Sequence, residues 1–583
     1  MNETSDLLVF NGKITTMDAA LPETTAFAAR DGRFVAVGTD KDVVPLKGKS
    51  TIVVDLHGRR VIPGLIDNHM HLIRGGLFYN LELRWDGVRS LAQGMQMLRE
   101  QVARTPPPQW VRVVGGFTSH QFRENRMPTL DDINQAAPET PVFIMHMHQY
   151  ALMNRAALRA VGYTKDTPDP PDGEIVRQAN GEPTGLILAK PTLIILYATL
   201  NKSPKLPSEL QMNSTRQFMR ELNRLGLTSV VDAGGSSQSY PGDYEVIREL
   251  SRQGLLTVRI AYNLYPQRRG HELEDVTGWI DSLRFDPAEE YFRFNGAGEN
   301  LVFSAADYDN FAQPRPAVPE TLESEIEPVF DKLFANRWAW RLHATYNETI
   351  THALNALDRV SKRVPIEGTR WFLDHCETID ERNIDRVAAL GGNIAIQNRA
   401  GFQAEAFRER YGNEIADHTP PIKRMLQAGL EVGAGTDATR SASYNPWLCI
   451  SWLVTGRGTS GMVHFPPAQR FERLDALWMY TGANAYFSGE AGTKGQIKAG
   501  QYADAVVLSG DYLTVPDDDI RELTSVLTVV GGRIVWADGL FAAHRPPLPP
   551  ALPEWSPIRY YGGYQNAGLT LTSEVLRSAA RRC

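Results

Sequence analysis

Cysteine is nearly absent from this chain: three residues in 583, Cys376, Cys449 and Cys583, widely spaced. An odd and scattered set is no disulfide framework, and a reducing cytoplasm is the expected location. Long apolar runs are missing too. The longest, Leu193 to Leu200, falls far short of the roughly 18 residues a membrane span needs, so no membrane partner is expected. The opening Met-Asn-Glu-Thr-Ser-Asp has neither the basic region nor the apolar stretch of a signal peptide. Basic charge is not in excess: 61 Lys and Arg stand against 68 Asp and Glu, a net charge of −7. That gives no reason to expect a nucleic-acid partner, which calls for clustered basic charge. What is present, 42% hydrophobic and 22% charged residues, is ordinary globular composition.

Short strands read from turn residues and β-branched runs bracket the chain. Leu7 to Val9, Phe34 to Val37 and Thr51 to Asp55 lie near the start. Asp504 to Leu508, Ser525 to Val530 and Arg533 to Trp536 lie near the end, with a Gly531-Gly532 hairpin signal between the last two. Each group is too small for its own core, so the two are expected to pair into one β-sandwich, residues 1–60 with 491–545. Between them, residues 61–490 alternate strands with amphipathic helices such as Glu320 to Asn336 and Thr349 to Val360. The candidate strands are Val61 to Asp67, Leu227 to Asp232, Leu256 to Tyr262, Tyr291 to Phe294, Trp338 to His343, Trp371 to His375, Asn393 to Ile396 and Glu431 to Ala434. The expected fold class is therefore α/β: a (β/α)₈ TIM-like barrel with a composite β-sandwich from both chain ends. The first two strands are about 160 residues apart, too far for one crossover helix, so a large insertion is expected at about 75–225. Residues 546–583 open with a proline run and are expected to form an arm over the surface or onto a second copy in a homodimer, with a loosely attached tail as the alternative.

Five residues fall at the carboxyl ends of candidate barrel strands, where barrel enzymes place their chemistry. His69 and His71 follow the first strand; alternate strand residues point the same way, so both imidazoles can reach one ion. His343 ends the fifth strand, His375 the sixth and Asp437 the eighth. Four imidazoles and a carboxylate suit zinc (Zn2+) or a similar divalent metal. A second His-x-His, His146 and His148, lies inside the insertion with no further ligands near it in sequence. It is expected not to bind the metal, although His148 is a candidate substrate contact.

The run Asp55-Leu-His-Gly-Arg-Arg-Val-Ile-Pro-Gly-Leu-Ile-Asp-Asn-His-Met-His71 resembles the opening metal motif of the amidohydrolase superfamily. Lys494-Gly-Gln-Ile-Lys-Ala-Gly-Gln-Tyr-Ala-Asp-Ala-Val-Val-Leu508 resembles the return of that superfamily into its β-sandwich. The insertion, through the Phe143-to-Asn154 stretch, is similar to the branch containing the N-substituted formamide deformylases. The resemblance implies that His69, His71, His343, His375 and Asp437 are the metal ligands. Many members with two metals bridge them with a carboxylated fourth-strand lysine. The matching position here is taken as Arg293, whose guanidinium cannot form a carbamate. One tightly bound metal on His69, His71, His343 and Asp437 is therefore expected, with His375 polarising the substrate. A second metal would need Glu299 as a substitute bridge; the alternative for Glu299 is a loop carboxylate capping a backbone N–H.

The implied reaction is hydrolysis of a C–N bond, amide or formamide-like, in a small organic substrate. A bound divalent ion brings the pKa of its water toward 7 and supplies hydroxide. Asp437 would act as base and His375 would stabilise the oxyanion. Candidate substrate contacts are Trp85, Phe117, His148, Tyr346, Arg399, Arg440, Tyr444 and Trp447. Their aromatic share suits a moderately apolar substrate, whereas Arg399 and Arg440 would suit a carboxylate. The competing readings are a deaminase of a small heterocycle and a non-catalytic binding protein.

Overall fold

The computed structural model describes residues 4–566, apart from 171–172, 191–192, 236–237, 287, 309 and 316. At its centre are eight strands rich in β-branched and aromatic residues and buried along almost their whole length. They are β1 (Leu65–Met70), β2 (Leu227–Asp232), β3 (Arg259–Leu264), β4 (Phe292–Ala297), β5 (Trp340–Ala344), β6 (Trp371–His375), β7 (Asn393–Gln397) and β8 (Val432–Gly435). They pair in parallel in that order, as strands covered by helices on their outer side do. The seam between β8 and β1 closes through His71 N–H to the Ala438 carbonyl (2.8 Å) and Asp437 N–H to the His69 carbonyl (2.8 Å). The chain is thus a (β/α)₈ barrel, and the same two hydrogen bonds lock the first-strand histidines to Asp437.

The first strand differs from the expected one. Val61 to Asp67 is not a single strand: Arg60–Pro63 belongs to a different sheet, and β1 begins only at Leu65. Gly64 makes the break. Its N–H bonds to the Asp504 carbonyl (3.0 Å), and a Cβ there would lie 2.1 Å from Thr228 Oγ1, so no other residue fits. The Arg60–Pro63 strand pairs antiparallel with Ala505–Leu508 from the other chain end, and a neighbouring four-stranded sheet is built from Leu7–Phe10, Ala26–Arg30, Arg33–Gly38 and Ile52–Asp55. Val61, Val9, Phe27, Val507 and Leu527 fill the space between the sheets. Gly531 and Gly532 turn the last hairpin with φ of 56° and 69°, the left-handed values a two-residue turn of this kind requires.

Between β1 and β2 the chain builds a separate five-stranded sheet from Val111–Val114, Val142–His146, Tyr150–Met153, Gly173–Arg177 and Pro183–Ala189, with its own apolar core. The described part of the proline-rich arm lies back over this insertion. Asn80 Nδ2 donates to the Leu552 carbonyl (2.8 Å), Ser556 Oγ to the Asn80 carbonyl (2.7 Å) and Tyr561 Oη to Glu100 (2.6 Å). Residues 567–583 of the arm fall outside the described residues. No helix among the described residues is long and apolar enough to cross a membrane.

Candidate metal centre

The carboxyl ends of β1, β4, β5, β6 and β8 bring six buried side chains together. His69 Nε2 and His71 Nε2 lie 3.5 and 3.2 Å from the same atom, Asp437 Oδ1. Beside them, His375 Nε2 is 3.0 Å from His343 Nδ1. Glu299 stands between the two groups: its Oε2 is 3.1 Å from His69 Nε2 and 3.7 Å from His343 Nδ1, and its Oε1 is 4.0 Å from His71 Nε2. His69, His71 and Asp437 form one cluster with metal-ligand spacing, and His69, Glu299 and His375 form another. The ligand-bearing backbone is strained: His375 and Asp437 hold φ of 76° and 55°, values non-glycine residues rarely adopt outside functional sites.

Glu299 is placed by main-chain bonds. Its N–H reaches the Ala233 carbonyl (3.3 Å) and its own carbonyl accepts from His343 N–H (2.6 Å), so the turn after β4 stays stitched between its neighbours. Gly235, at φ 140°, lets the β2 loop pass; a Cβ there would meet the His71 ring at 2.9 Å. Arg293 lies elsewhere. It is near the amino end of β4 and pairs with Glu490 at 3.4 Å. The position matched to the bridging lysine is therefore at the wrong end of the strand, and the group at the carboxyl end is Glu299.

Three of the four imidazoles are aimed by an outer partner, as metal-bound histidines usually are. His71 Nδ1 is 2.5 Å from the Gly234 carbonyl, which leaves Nε2 to face the centre. His343 Nε2 is 3.3 Å from Asp307 Oδ1 and 3.2 Å from Thr345 Oγ1, leaving Nδ1 inward. His69 Nδ1 is 3.2 Å from Asp374 Oδ1 and 2.7 Å from an Arg341 terminal nitrogen. Arg341 can only donate, so that contact needs a bare Nδ1; an ion on Nε2 would put the proton on Nδ1 and favour Asp374 instead.

The electrostatics fit a cation. Burial and Arg341 push His69 down, but Asp374 and Asp437 outweigh them and raise it to about 9. Burial opposes charge on His343 as well, yet Asp307 and Glu299 lift it to about 10. Burial works against ionising Glu299, but hydrogen bonds from His343 and His69 hold it well below the usual carboxylate range. Asp437 is held low against burial by His69 and His71. His69 Nε2 and His375 Nδ1 are buried without a hydrogen bond, although Glu299 lies beside the first. An orphaned His69 Nε2 facing Glu299 and Asp437, with three further imidazoles beside it, is the donor set of a divalent metal.

The expected substrate contacts divide. Arg399 is buried and already held: it donates to Glu377 (2.9 and 3.0 Å) and to Thr345 Oγ1 (3.1 Å), with Nη1 3.5 Å from Asp437 Oδ2. It steadies Asp437 rather than waiting for a ligand. Trp85 packs on Phe117 and Phe122 in the core of the insertion. Tyr444 packs on Tyr79 and Phe218, and Trp447 donates to the Leu225 carbonyl (2.9 Å). These aromatics follow strand or loop ends in sequence, but the chain turns them into apolar cores, where their large surfaces are best buried. Tyr346 walls a separate cavity of about 330 Å³ with Tyr308. His148 is near the centre, with Nε2 3.1 Å from Tyr197 Oη and Asp437 the leading charge acting on it. His146 instead stacks on Tyr150. Arg440 lies over the Tyr197 ring at 4.6 Å.

A cleft of about 740 Å³ opens beside the centre, lined by Tyr197, Gly235, Tyr265, Phe303 and Tyr308 among others. Tyr308 sits 5.5 Å from the His343 ring. Asp307, Asp374, Arg341, Glu377 and Tyr308 did not emerge from the sequence. Arg341 and His343 are alternate residues of one strand, and Asp374 adjoins His375, so those two were within reach of a same-strand argument; Asp307 and Tyr308 sit in an irregular loop with no periodic signal.

A parallel barrel carrying a histidine–carboxylate centre at its carboxyl end, capped by a composite sandwich, defines a metal-dependent hydrolase. Residues 52–536 match the model of the amidohydrolase family. The chain belongs to that family and hydrolyses carbon–nitrogen bonds with a divalent metal. It is 26% identical over 553 residues to the N-substituted formamide deformylase of Arthrobacter pascens, covering 91% of this chain and 98% of that protein. It is 32% identical over 567 residues to the protein LONG AFTER FAR-RED 3 of Arabidopsis thaliana, covering 91% of each. An uncharacterised metal-dependent hydrolase from Pyrococcus horikoshii shares the fold, with TM-score 0.63, 19% identity, and coverage of 88% of this chain and 99% of that one.

Proposed function

We propose that the protein cleaves an amide or formamide-like bond of a small organic molecule, giving an acid and an amine, with two zinc-like ions in the centre. The observation that carries the metal number is the position of Glu299, with one oxygen toward His71 and the other toward His69 and His343. Two adjacent cations repel and need an anion between them, and Glu299 supplies it without a carbamate. This revises the single-metal expectation, which rested on Arg293. His69, His71 and Asp437 would hold one ion, and His343 and His375 the other, with Glu299 shared. When bound, the ions supply an activated water near neutral pH and a Lewis acid for the carbonyl.

The chain's own groups do the rest. The Asp437 carboxylate takes the proton of the attacking water, and Arg399, 3.5 Å from Oδ2, fixes its orientation. Asp437 then gives the proton to the leaving nitrogen, because an amine leaves poorly as an anion. Tyr308 and Tyr265 wall the cleft beside the centre and limit water around the substrate. The resemblance to the Arthrobacter deformylase supports a formyl or short acyl group as the acid part. The test is a panel of N-substituted formamides, acylated amines and aminated heterocycles on zinc-loaded protein. Formate or another acid in step with amine is expected. Ammonia released only from heterocycles, with no acid product, would favour a deaminase and overturn the proposal.

A further inference from the structure

Where the insertion meets the barrel, four arginines are buried together: Arg74, on the helix Leu72–Phe78 that follows His71; Arg440, three residues after Asp437; and Arg84 and Arg112 from the insertion. Among the described residues, the carboxylates within ion-pair distance of these four are Glu82 and Asp86. Arg84 takes most of both, at 2.7 Å from Glu82 Oε2 and 2.9 Å from Asp86 Oδ2. Arg112 donates to the Pro204 carbonyl. Arg440 is left poorly served. It is 4% exposed, its Nε is buried without a partner, and Glu82 Oε1 is 4.0 Å from Nη2. The Tyr197 hydroxyl is the hydrogen-bonding neighbour of this guanidinium, and no carboxylate among the described residues lies nearer to it than Glu82. A guanidinium removed from water without a full set of hydrogen bonds is costly, and here a second one adds repulsion. Arg440 and Arg74 lie over the same Tyr197 ring, at 4.6 and 5.1 Å. Burial, helped by Arg74 and opposed by Tyr197 and Glu82, pushes the Arg440 guanidinium below its usual value.

This seat connects with the reacting centre. Tyr197 lines the 740 Å³ cleft, and its hydroxyl contacts His148, which feels Asp437, Arg74 and His71 as its leading charges. Tyr197 is thus shared between the wall of the cleft and the arginine pair, so the end of a molecule that displaces or slides past this ring meets the guanidiniums. We propose that Arg440, with Arg74 beside it over Tyr197, binds a carboxylate of the substrate. The protein would then act on amides that carry an acid group at a distance from the scissile bond, a substrate class that rests on the hydrolase reading above. An arriving carboxylate would accept hydrogen bonds that Arg440 lacks and reduce the repulsion between the two guanidiniums.

The test measures binding by calorimetry to zinc-loaded protein, using straight-chain methyl-ketone acids of increasing length and their neutral carboxamides. The ketones mimic the amide but cannot be hydrolysed. At the best length the acid is expected to bind at least about tenfold more tightly than its carboxamide, a typical gain for a charge-assisted contact. Arg440→Gln should reduce that preference to within about twofold, with the acid losing much more affinity than the carboxamide. Arg440→Lys keeps the charge and the fold but loses the planar fork, and should lose part of the preference. Equal affinity for acid and carboxamide at every length, or a preference undiminished in both variants, overturns the proposal. The hydrolase reading fails separately: selective binding of the acids, with no cleavage of the matching acid-bearing formamides, would remove that reading and leave the carboxylate seat standing.

Discussion

Two His-x-His pairs in this chain have opposite fates. His69 and His71 stand at the end of β1, among Asp374, Asp437 and Glu299, and His69 is raised to about 9 against the pull of its burial. His146, buried, and His148, partly buried, lie in the insertion and stand among Phe117, Tyr150 and Tyr197. Burial there outweighs what opposes it, Gln149 at His146 and Asp437 at His148, and lowers them to about 4 and about 3. The motif sets the spacing of two imidazoles, and the carboxylates brought in by other strands decide whether a cation is wanted. No cluster with metal-ligand spacing among the described residues contains His146 or His148.

The sharpest way to break the comparison is to exchange the roles. His69→Ala should lose the metal and all measurable turnover, whereas His146→Ala and His148→Ala should keep full metal content, with only His148→Ala raising KM. Elemental analysis of the purified variants checks this; metal loss from His146→Ala would end the contrast. Next in size, Asp437→Asn keeps the shape and removes the base, and kcat should fall by about 10²–10⁴. A near-normal kcat would take Asp437 out of proton transfer. Smaller is the effect of the outer carboxylate. Asp374→Asn leaves all the metal-facing atoms in place but frees His69 Nδ1, and zinc affinity by competitive chelation should weaken about 10- to 100-fold. Unchanged affinity would show that Asp374 serves only to hold Arg341.

The smallest effect lies on the insertion side. His146 is neutral in the folded chain because its value drops from 6.5 to about 4. The unfolded chain binds a proton that the folded chain refuses, so stability is lost as pH falls from 6.5 toward 4. Between pH 7 and pH 5 this single group should cost about 2 kcal/mol. Urea melts at the two pH values should show a smaller loss for His146→Phe than for the natural chain. Equal losses would mean that His146 is not held neutral.

Much of the fold could be read because its signals are local. Alternating strands and helices, a hairpin at Gly531-Gly532 and a gap too long for a crossover each sit in one stretch of chain. The imidazoles could be read for the same reason, since strand ends announce themselves. Glu299 was harder. It follows β4 across Gly298 and is positioned by main-chain bonds to Ala233 and His343, contacts that no spacing in sequence encodes. Counting along the strand led instead to Arg293. Substrate contacts were the least legible, because an aromatic after a strand end can turn into the cleft, as Tyr308 does, or into a core, as Tyr444 and Trp447 do. That choice is made by packing partners far away in sequence. Arg399 was misread in the same way: its partner Glu377 comes from the end of a neighbouring strand.

The account turns on Glu299 as the anion between two cations. Zinc bound per chain, measured by titration with activity followed in parallel, tests it most directly in the natural protein and in Glu299→Gln. The geometry predicts a plateau at about two equivalents for the natural chain and about one for Glu299→Gln, whose neutral amide cannot offset two adjacent charges. A plateau at one equivalent in both proteins, with full activity in the natural chain, would contradict it and return the centre to a single metal.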